Sequence, residues 1–537
     1  MTRAEPEGLR GDLEFKSLPG LVRAAAETHG ERIFIEDGQT TLSFVDLERR
    51  VAEAGRALVV SKIAPGDRVG IWAPNCWEWI VGALAIHSVG AVLVPINTRY
   101  KGHEAAWLLN TSRAKLLFTV TDFLDTDYVQ RLKATNIRTP HLENVIVLRG
   151  SEAASAISWE AFLTRAEQVS HDTFHARATA VQPSDVCDIL FTSGTTGHPK
   201  GAMSTHAQSL RAYRDWADVV GLCAEDRYLV VAPFFHCFGY KAGWMAALLV
   251  GATVLPQPVF DPVQVLARIA PDRVSMLPGP PALYQTILAQ PNLQDHDLSS
   301  LRLAVTGAAV IPVSLIERMR DALGFQTIIT GYGLTESTGI ATMCRFDDDA
   351  ATIATTSGRA IPGVEVRVVD EDGQETPAGQ PGEVVVRGYT VMDGYFEDIE
   401  QTKATITTDG WLHTGDIGVM NAQGYLRITD RKKDMFIVGG FNAYPAEIEN
   451  TICEHQAVAE VAVIGVADNR LGEVGLACVV LQADSTLDAE SLIAWCRERM
   501  ANFKVPRQVE FMETLPRNAT GKVMKFVLRE RLNAPSG

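Results

Sequence analysis

Apolar residues cluster in short runs along the first 330 positions, and the runs alternate with longer amphipathic stretches. Residues 68–73 form one compact apolar run, 77–87 stay apolar over about three helical turns, and 91–96 form another short run. This predicts strand, helix, strand: a βαβ unit in a parallel sheet. A short helix is predicted before it, over 21–28. The texture returns downstream, with a helix over 262–269 and a strand over 274–277 that ends in the proline-rich turn 278–281. A strand over 301–305, a helix over 314–323 and a strand over 327–330 follow. Two α/β lobes of this kind place their strand ends at a shared crevice, where a ligand would sit. From about residue 355 the period changes to two. Residues 364–369 and 382–387 alternate apolar and polar around the turn 371–374, which predicts a smaller antiparallel β layer.

Five consecutive charges at 430–434 interrupt that pattern. Beyond them come a helix over 446–454, strands over 460–464 and 475–481, a helix over 489–500 and a strand over 508–511, which together have the size of a small domain. The expected division is a large N-terminal domain over 1–429, a linker over 430–434 and a small α+β domain over 435–537. The fold class is therefore α/β, with two α/β lobes and a β layer followed by a compact C-terminal unit. A solvated turn is the competing reading of the charged run.

Composition narrows the function. With 537 residues the chain exceeds what one core supports. Its 49 Lys and Arg stand against 65 Asp and Glu, a net charge of −16, which disfavours non-specific nucleic-acid binding and polybasic membrane contact. Eight cysteines are scattered without a C-x-x-C pair, so neither a disulfide framework nor a zinc site is expected, and a reducing cytoplasm is. The first thirty residues include Glu5, Glu7, Asp12 and Glu14 and no apolar core of a signal peptide. The most apolar segments, 81–96 and 242–256, are too short and too punctuated by glycine to span a bilayer. A homodimer is compatible with all of this.

Chemistry concentrates at 191–201. Thr192, Ser193, Gly194, Thr195, Thr196, Gly197 and Lys200 follow the apolar run 186–190. Glycines let backbone amides converge on an anion, hydroxyls add donors, and the lysine adds a point charge. The spacing is not that of a Walker A loop, because Gly194 and Gly197 are only three apart and Lys200 precedes a glycine. A surface turn is the alternative; the lysine and the preceding strand favour a phosphate cradle.

Further segments complete a set: 306–309, 331–336, 408–416, Asp430-Arg431 and 515–522. In their order and spacing they resemble the acyl-adenylate-forming superfamily, which includes acyl-CoA synthetases, peptide-synthetase adenylation domains and firefly-type luciferases. The resemblance covers about residues 20–530. It implies that a carboxylate attacks the α-phosphate of ATP with Mg2+, and that a thiol then displaces AMP from the acyl-adenylate. In those terms the 192–200 loop holds the β- and γ-phosphates, and Glu336, beside Thr335, is the magnesium ligand. Tyr332, between Gly331 and Gly333, lies against adenine, with Gly307, Ala308 and Ala309 across the slot. Asp416 takes the ribose hydroxyls, Arg431 faces ribose or phosphate, and Lys522 bridges the carboxylate and the α-phosphate. The resemblance also implies a small domain that rotates about Lys433, withdrawing Lys522 and bringing in Gly439, Gly440 and Phe441 for coenzyme A. His236 corresponds to a histidine beside the acyl site, with packing among phenylalanines as the competing reading.

The chain ends fifteen residues after Lys522, which leaves no room for a carrier domain and favours free coenzyme A as acceptor. The run 235–243, with 95–100, 303–309 and 501–506, resembles bacterial steroid-catabolic ligases acting on a propanoate attached to the C and D rings. That likeness implies a bulky ketone acid in a wide apolar pocket. Tyr240 and Lys241 are candidate donors there, together with His236 and Gly307, although an exposed lysine is the default for Lys241. A medium- or long-chain fatty acid is the alternative substrate. An amino-acid or aryl-acid adenylating enzyme serving a carrier protein is a more distant one.

Overall fold

The computed structural model describes residues 13, 15–151, 153, 155–193, 199–307, 311, 313–370, 372–431, 436–443, 445–482, 485–516, 523 and 525–533. The βαβ unit forms as the pattern requires. Strands Arg68–Trp72 and Val92–Pro95 pair in parallel, Gly70 opposite Val94, with helix Trp77–Ser88 between them. That helix has no polar stripe, and it is buried on nearly every side. These strands lie inside an eight-stranded sheet that extends through Leu116–Val120 on one side and Val186–Ser193 on the other.

The second lobe is built from two four-stranded pieces. One holds Arg227–Val230 and Thr253–Pro256; the other holds Leu303–Gly307 and Thr327–Tyr332 in parallel register. The expected strand over 274–277 shrinks to a single bridging residue, Met276, which joins Tyr228 to Leu303. The cause is local. Pro278, Pro280 and Pro281 supply no amide hydrogens, and the Leu277 carbonyl accepts from the Tyr284 hydroxyl at 2.7 Å.

The antiparallel layer comprises Val364–Val369, Pro381–Gly388, Leu412–Met420 and Leu426–Arg431 in the order of their pairing. Asp416 lies within a strand, and Asp430 and Arg431, the first two residues of the expected linker, continue a strand opposite Ile417 and Asp416. The remainder of the expected linker, Lys432, Lys433 and Asp434, lies outside the described residues. The C-terminal unit is a five-stranded sheet whose hairpin Val458–Asp468 and Gly472–Leu481 packs against helix Pro445–Cys453, with Gln508–Phe511 added in parallel. No helix among the described residues is long and apolar enough to cross a membrane.

Candidate active site

The glycine-rich segment is flanked by two paired strands. Strands Val186–Ser193 and Pro199–Thr205 pair antiparallel, with Thr192 opposite Lys200 and Ser193 opposite Pro199. Gly194, Thr195, Thr196 and Gly197 lie outside the described residues, as does the side chain of Ser193. The flanks converge on one carboxylate. Thr192 Oγ1 donates to Glu336 Oε1 at 3.2 Å, and the Tyr395 hydroxyl donates to the same oxygen at 2.9 Å. Lys200 Nζ donates to Gln401 Oε1 at 2.6 Å and stands 5.2 Å from the Tyr395 ring centroid. Tyr395 and Gln401 carry no motif that the sequence would flag. The strand pairing of Gly394 and Tyr395 with Met203 and Ala202 brings them in.

This donor set fits magnesium. A hard dication takes oxygen ligands and is commonly held by one or two carboxylates together with substrate phosphates. Glu336 supplies a carboxylate whose orientation two hydroxyls fix. No cluster of three or more His, Cys, Asp or Glu exists among the described residues that would make a self-sufficient metal cage.

The slot expected to take the nucleotide forms where two parallel strands end side by side. Gly307 lies opposite Gly331 in register, and a Cβ on Gly307 would approach the Gly331 carbonyl oxygen at 3.0 Å. Tyr332 leaves the second strand with its hydroxyl donating to Asp416 Oδ2 at 2.6 Å. Asp416 is buried, and Arg431 is its backbone partner across the antiparallel pair. Thus the residues expected to hold adenine and ribose already touch each other, although they lie 84 positions apart. Thr335 opens the short 3-10 turn Thr335–Ser337 that carries Glu336. Ala308, Ala309 and the Arg431 side chain lie outside the described residues.

His236 caps the turn Cys237–Gly239, where its Nδ1 accepts the Phe238 amide at 3.2 Å. An accepting Nδ1 leaves the proton of the neutral ring on Nε2, available to a ligand. The residue is exposed, yet desolvation by the surrounding protein lowers its pKa from the ordinary value, which favours the neutral ring. Gly239 is required at its position, because a Cβ would lie 2.2 Å from the carbonyl oxygens of Ala232 and Pro233.

The next turn departs from expectation. Residues Tyr240–Met245 form a π-helical turn and are buried. Lys241 is not exposed: its side chain is fully buried and pairs with the equally buried Asp188 at 3.0 Å. Burial alone would lower the Lys241 pKa, but Asp188 beside it brings the net shift upward. The Tyr240 hydroxyl lies 3.0 Å from His87 Nε2. Both expected donors are therefore engaged with protein partners. Cys237 connects this buried group to the nucleotide side; burial pushes its thiol up to about 11, and the Thr335 side chain hydrogen-bonds to it.

The C-terminal unit approaches the same cleft through its glycine turn. Gly439 and Gly440 have φ of +56° and +85°, a region that only glycine enters freely, and a Cβ on Gly440 would be 3.8 Å from Pro280 Cγ. Phe441 stacks on Phe503 at 5.0 Å between centroids and lies 4.1 Å beneath the Arg99 guanidinium of the large domain. Lys433 and Lys522 lie outside the described residues. Arg99 and Pro280 fall within the segments 95–100 and 278–281, but their place at a domain contact has meaning only once the small domain is docked.

Comparison with known proteins agrees with this geometry. Residues 22–396 match the AMP-binding enzyme family, and residues 447–522 match the AMP-binding enzyme C-terminal domain. A 3-(7a-methyl-1,5-dioxo-octahydroinden-4-yl)propanoyl:CoA ligase of Rhodococcus jostii is 47% identical over 96% of this chain and 98% of its own. The ligase of the same description in Mycobacterium tuberculosis is 49% identical over 90% of this chain and 93% of its own. Among solved structures, o-succinylbenzoate CoA synthetase of Bacillus subtilis, bound with its product analogue, superposes with a TM-score of 0.80. It is 26% identical and covers 95% of this chain and 98% of its own. The first family match alone spans more than two thirds of the sequence and contains the hairpin, the paired strand ends and Glu336. The chain belongs to the AMP-binding enzyme family.

Proposed function

We propose that this chain is an AMP-forming carboxylic acid:CoA ligase. The acid we assign is 3-(7a-methyl-1,5-dioxo-octahydroinden-4-yl)propanoate or a hydroxylated relative. The observation that carries the reaction class is the convergence of Thr192 and Tyr395 on Glu336, with Lys200 near Tyr395 and with Tyr332, four residues before Glu336, bonded to Asp416. The choice of acid rests on the near full-length likeness to two ligases described by that substrate.

In the first half-reaction a carboxylate oxygen attacks the α-phosphorus of ATP. The bond to the bridging oxygen breaks, and pyrophosphate leaves. Lys200 and the hairpin hold the departing phosphates, and Tyr332 and Asp416 hold the nucleoside. Lys522 places its ammonium between carboxylate and α-phosphate, where negative charge gathers in the transition state. Bound magnesium neutralises phosphate charge, and Glu336 is the residue that would hold it. In the second half-reaction the CoA sulfur, having lost its proton, attacks the acyl carbon. The bond to the AMP oxygen breaks and AMP departs. Neutral His236 offers Nε2–H beside the acyl group.

The eight cysteines are free thiols, which supports a reducing cytoplasm as its compartment. Withholding CoA tests the reaction class. With ATP, Mg2+ and the bicyclic acid, pyrophosphate should be released to about one equivalent per enzyme as acyl-AMP accumulates, and adding CoA should then release AMP. AMP release that needs no acid, or no pyrophosphate before CoA is added, would contradict this reading.

A further inference from the structure

Lys504 is a lysine of the small domain with 2% of its side chain exposed, and it is buried by the large domain. Its ammonium lies 2.8 Å from Glu104 Oε1 and 2.5 Å from Glu447 Oε1. It also stands 4.4 Å from the centroid of the Tyr100 ring, a cation–π distance. Glu447 is on the first turn of helix Pro445–Cys453 and moves with Lys504. Glu104 and Tyr100 belong to the large domain, 400 positions away.

The acceptor on the large domain is prepared in advance. Glu104 occupies the third position of helix Gly102–Ser112, where its second oxygen accepts the Lys101 amide at 2.9 Å. That bond fixes the carboxylate whether or not the small domain is docked. Around the ion pair, Arg99 covers Phe441, and Phe441 stacks on Phe503, the neighbour of Lys504. The same docking sets Gly440 beside Pro280. One short segment of the large domain, 99–104, therefore grips two residues of the small domain, Phe441 and Lys504, just where its glycine turn enters the cleft.

We propose that Lys504 is a positioning residue for the second half-reaction: its bond to Glu104 holds the small domain in the orientation that presents Gly439 and Gly440 to the cleft. This rests on the ligase reading above. The Lys504–Glu447 contact lies within one domain and survives rotation, whereas the Lys504–Glu104 contact exists only when the domains meet in this way. Its loss leaves a buried carboxylate facing an apolar contact, so the docked orientation is the one that suffers.

The test separates the half-reactions in Lys504→Met, Lys504→Arg and Glu104→Gln. Pyrophosphate release without CoA reports the first; CoA thioester formation from supplied acyl-AMP reports the second. Lys504→Met and Glu104→Gln should release pyrophosphate at close to the parent rate and form thioester about tenfold or more slowly. Lys504→Arg should recover most of the loss. Glu104→Gln leaves the small domain's own Lys504–Glu447 pair intact, so a folding defect in Lys504→Met does not obscure the result. Equal loss in both half-reactions, or no loss in the second, overturns the proposal. A parent protein that performs neither half-reaction with any acid would instead overturn the ligase reading on which it rests.

Discussion

At the scale of single residues, the buried pair Lys241–Asp188 decides how much charge the core must carry. Neither side chain reaches solvent, and removing one partner strands the other. Lys241→Met should cost about 3–5 kcal/mol, while Lys241→Met combined with Asp188→Asn should recover much of it, because no uncompensated charge remains. Thermal unfolding midpoints check this, and a double variant no more stable than the single would contradict it. The pair also marks what was legible. Asp188 interrupts the apolar run 186–190, and a charge inside such a run is a signal of a buried counter-charge that the reading of this run as simply apolar passes over. The identity of that counter-charge was not legible, because Lys241 lies 53 positions on, in a π-helical turn that no period announces. By contrast, Glu336, Tyr332 and Asp416 were legible through their motifs, and the structure brings Tyr332 and Asp416 into direct contact.

At the scale of elements, the parallel strands and their helices followed from apolar runs, with ends shifted by a few residues. The hairpin around 191–201 did not. Its first strand continues through the polar Thr192 and Ser193, and its second begins with Pro199 and contains Gly201, all residues that read as loop. Cross-strand pairing next to Gly394–Tyr395 holds it as sheet nonetheless. The Gly439–Gly440 turn was legible as a paired glycine, but its neighbour Pro280 was not. Valine at 440 combines an unfavourable φ of +85° with bulk directed toward Pro280. Gly440→Val should slow thioester formation about tenfold or more while leaving pyrophosphate release without CoA near the parent rate. Half-reaction rates measured side by side decide it, and unimpaired thioester formation would contradict the role of this turn.

At the scale of the whole molecule, the two domains meet across Arg99, Tyr100, Glu104 and Pro280 on one side and Gly440, Phe441 and Lys504 on the other. Such pairs, hundreds of residues apart, leave no trace in local pattern and depend on how the finished units dock. In the proposed reaction the nucleotide contacts lie at strand ends of the large domain, so ATP binding is expected to be largely the work of one body and thioester formation to require the second. What remains distinctive of this chain is the acid it activates, and that claim has a direct measurement: kcat/KM for AMP release with ATP, Mg2+ and CoA, using the bicyclic diketone propanoate, octanoate and palmitate in parallel. The near full-length likeness to two ligases described by the bicyclic acid leads us to expect that acid to be favoured about tenfold or more over either straight chain. Octanoate or palmitate turned over as well as, or better than, the bicyclic acid would contradict the account.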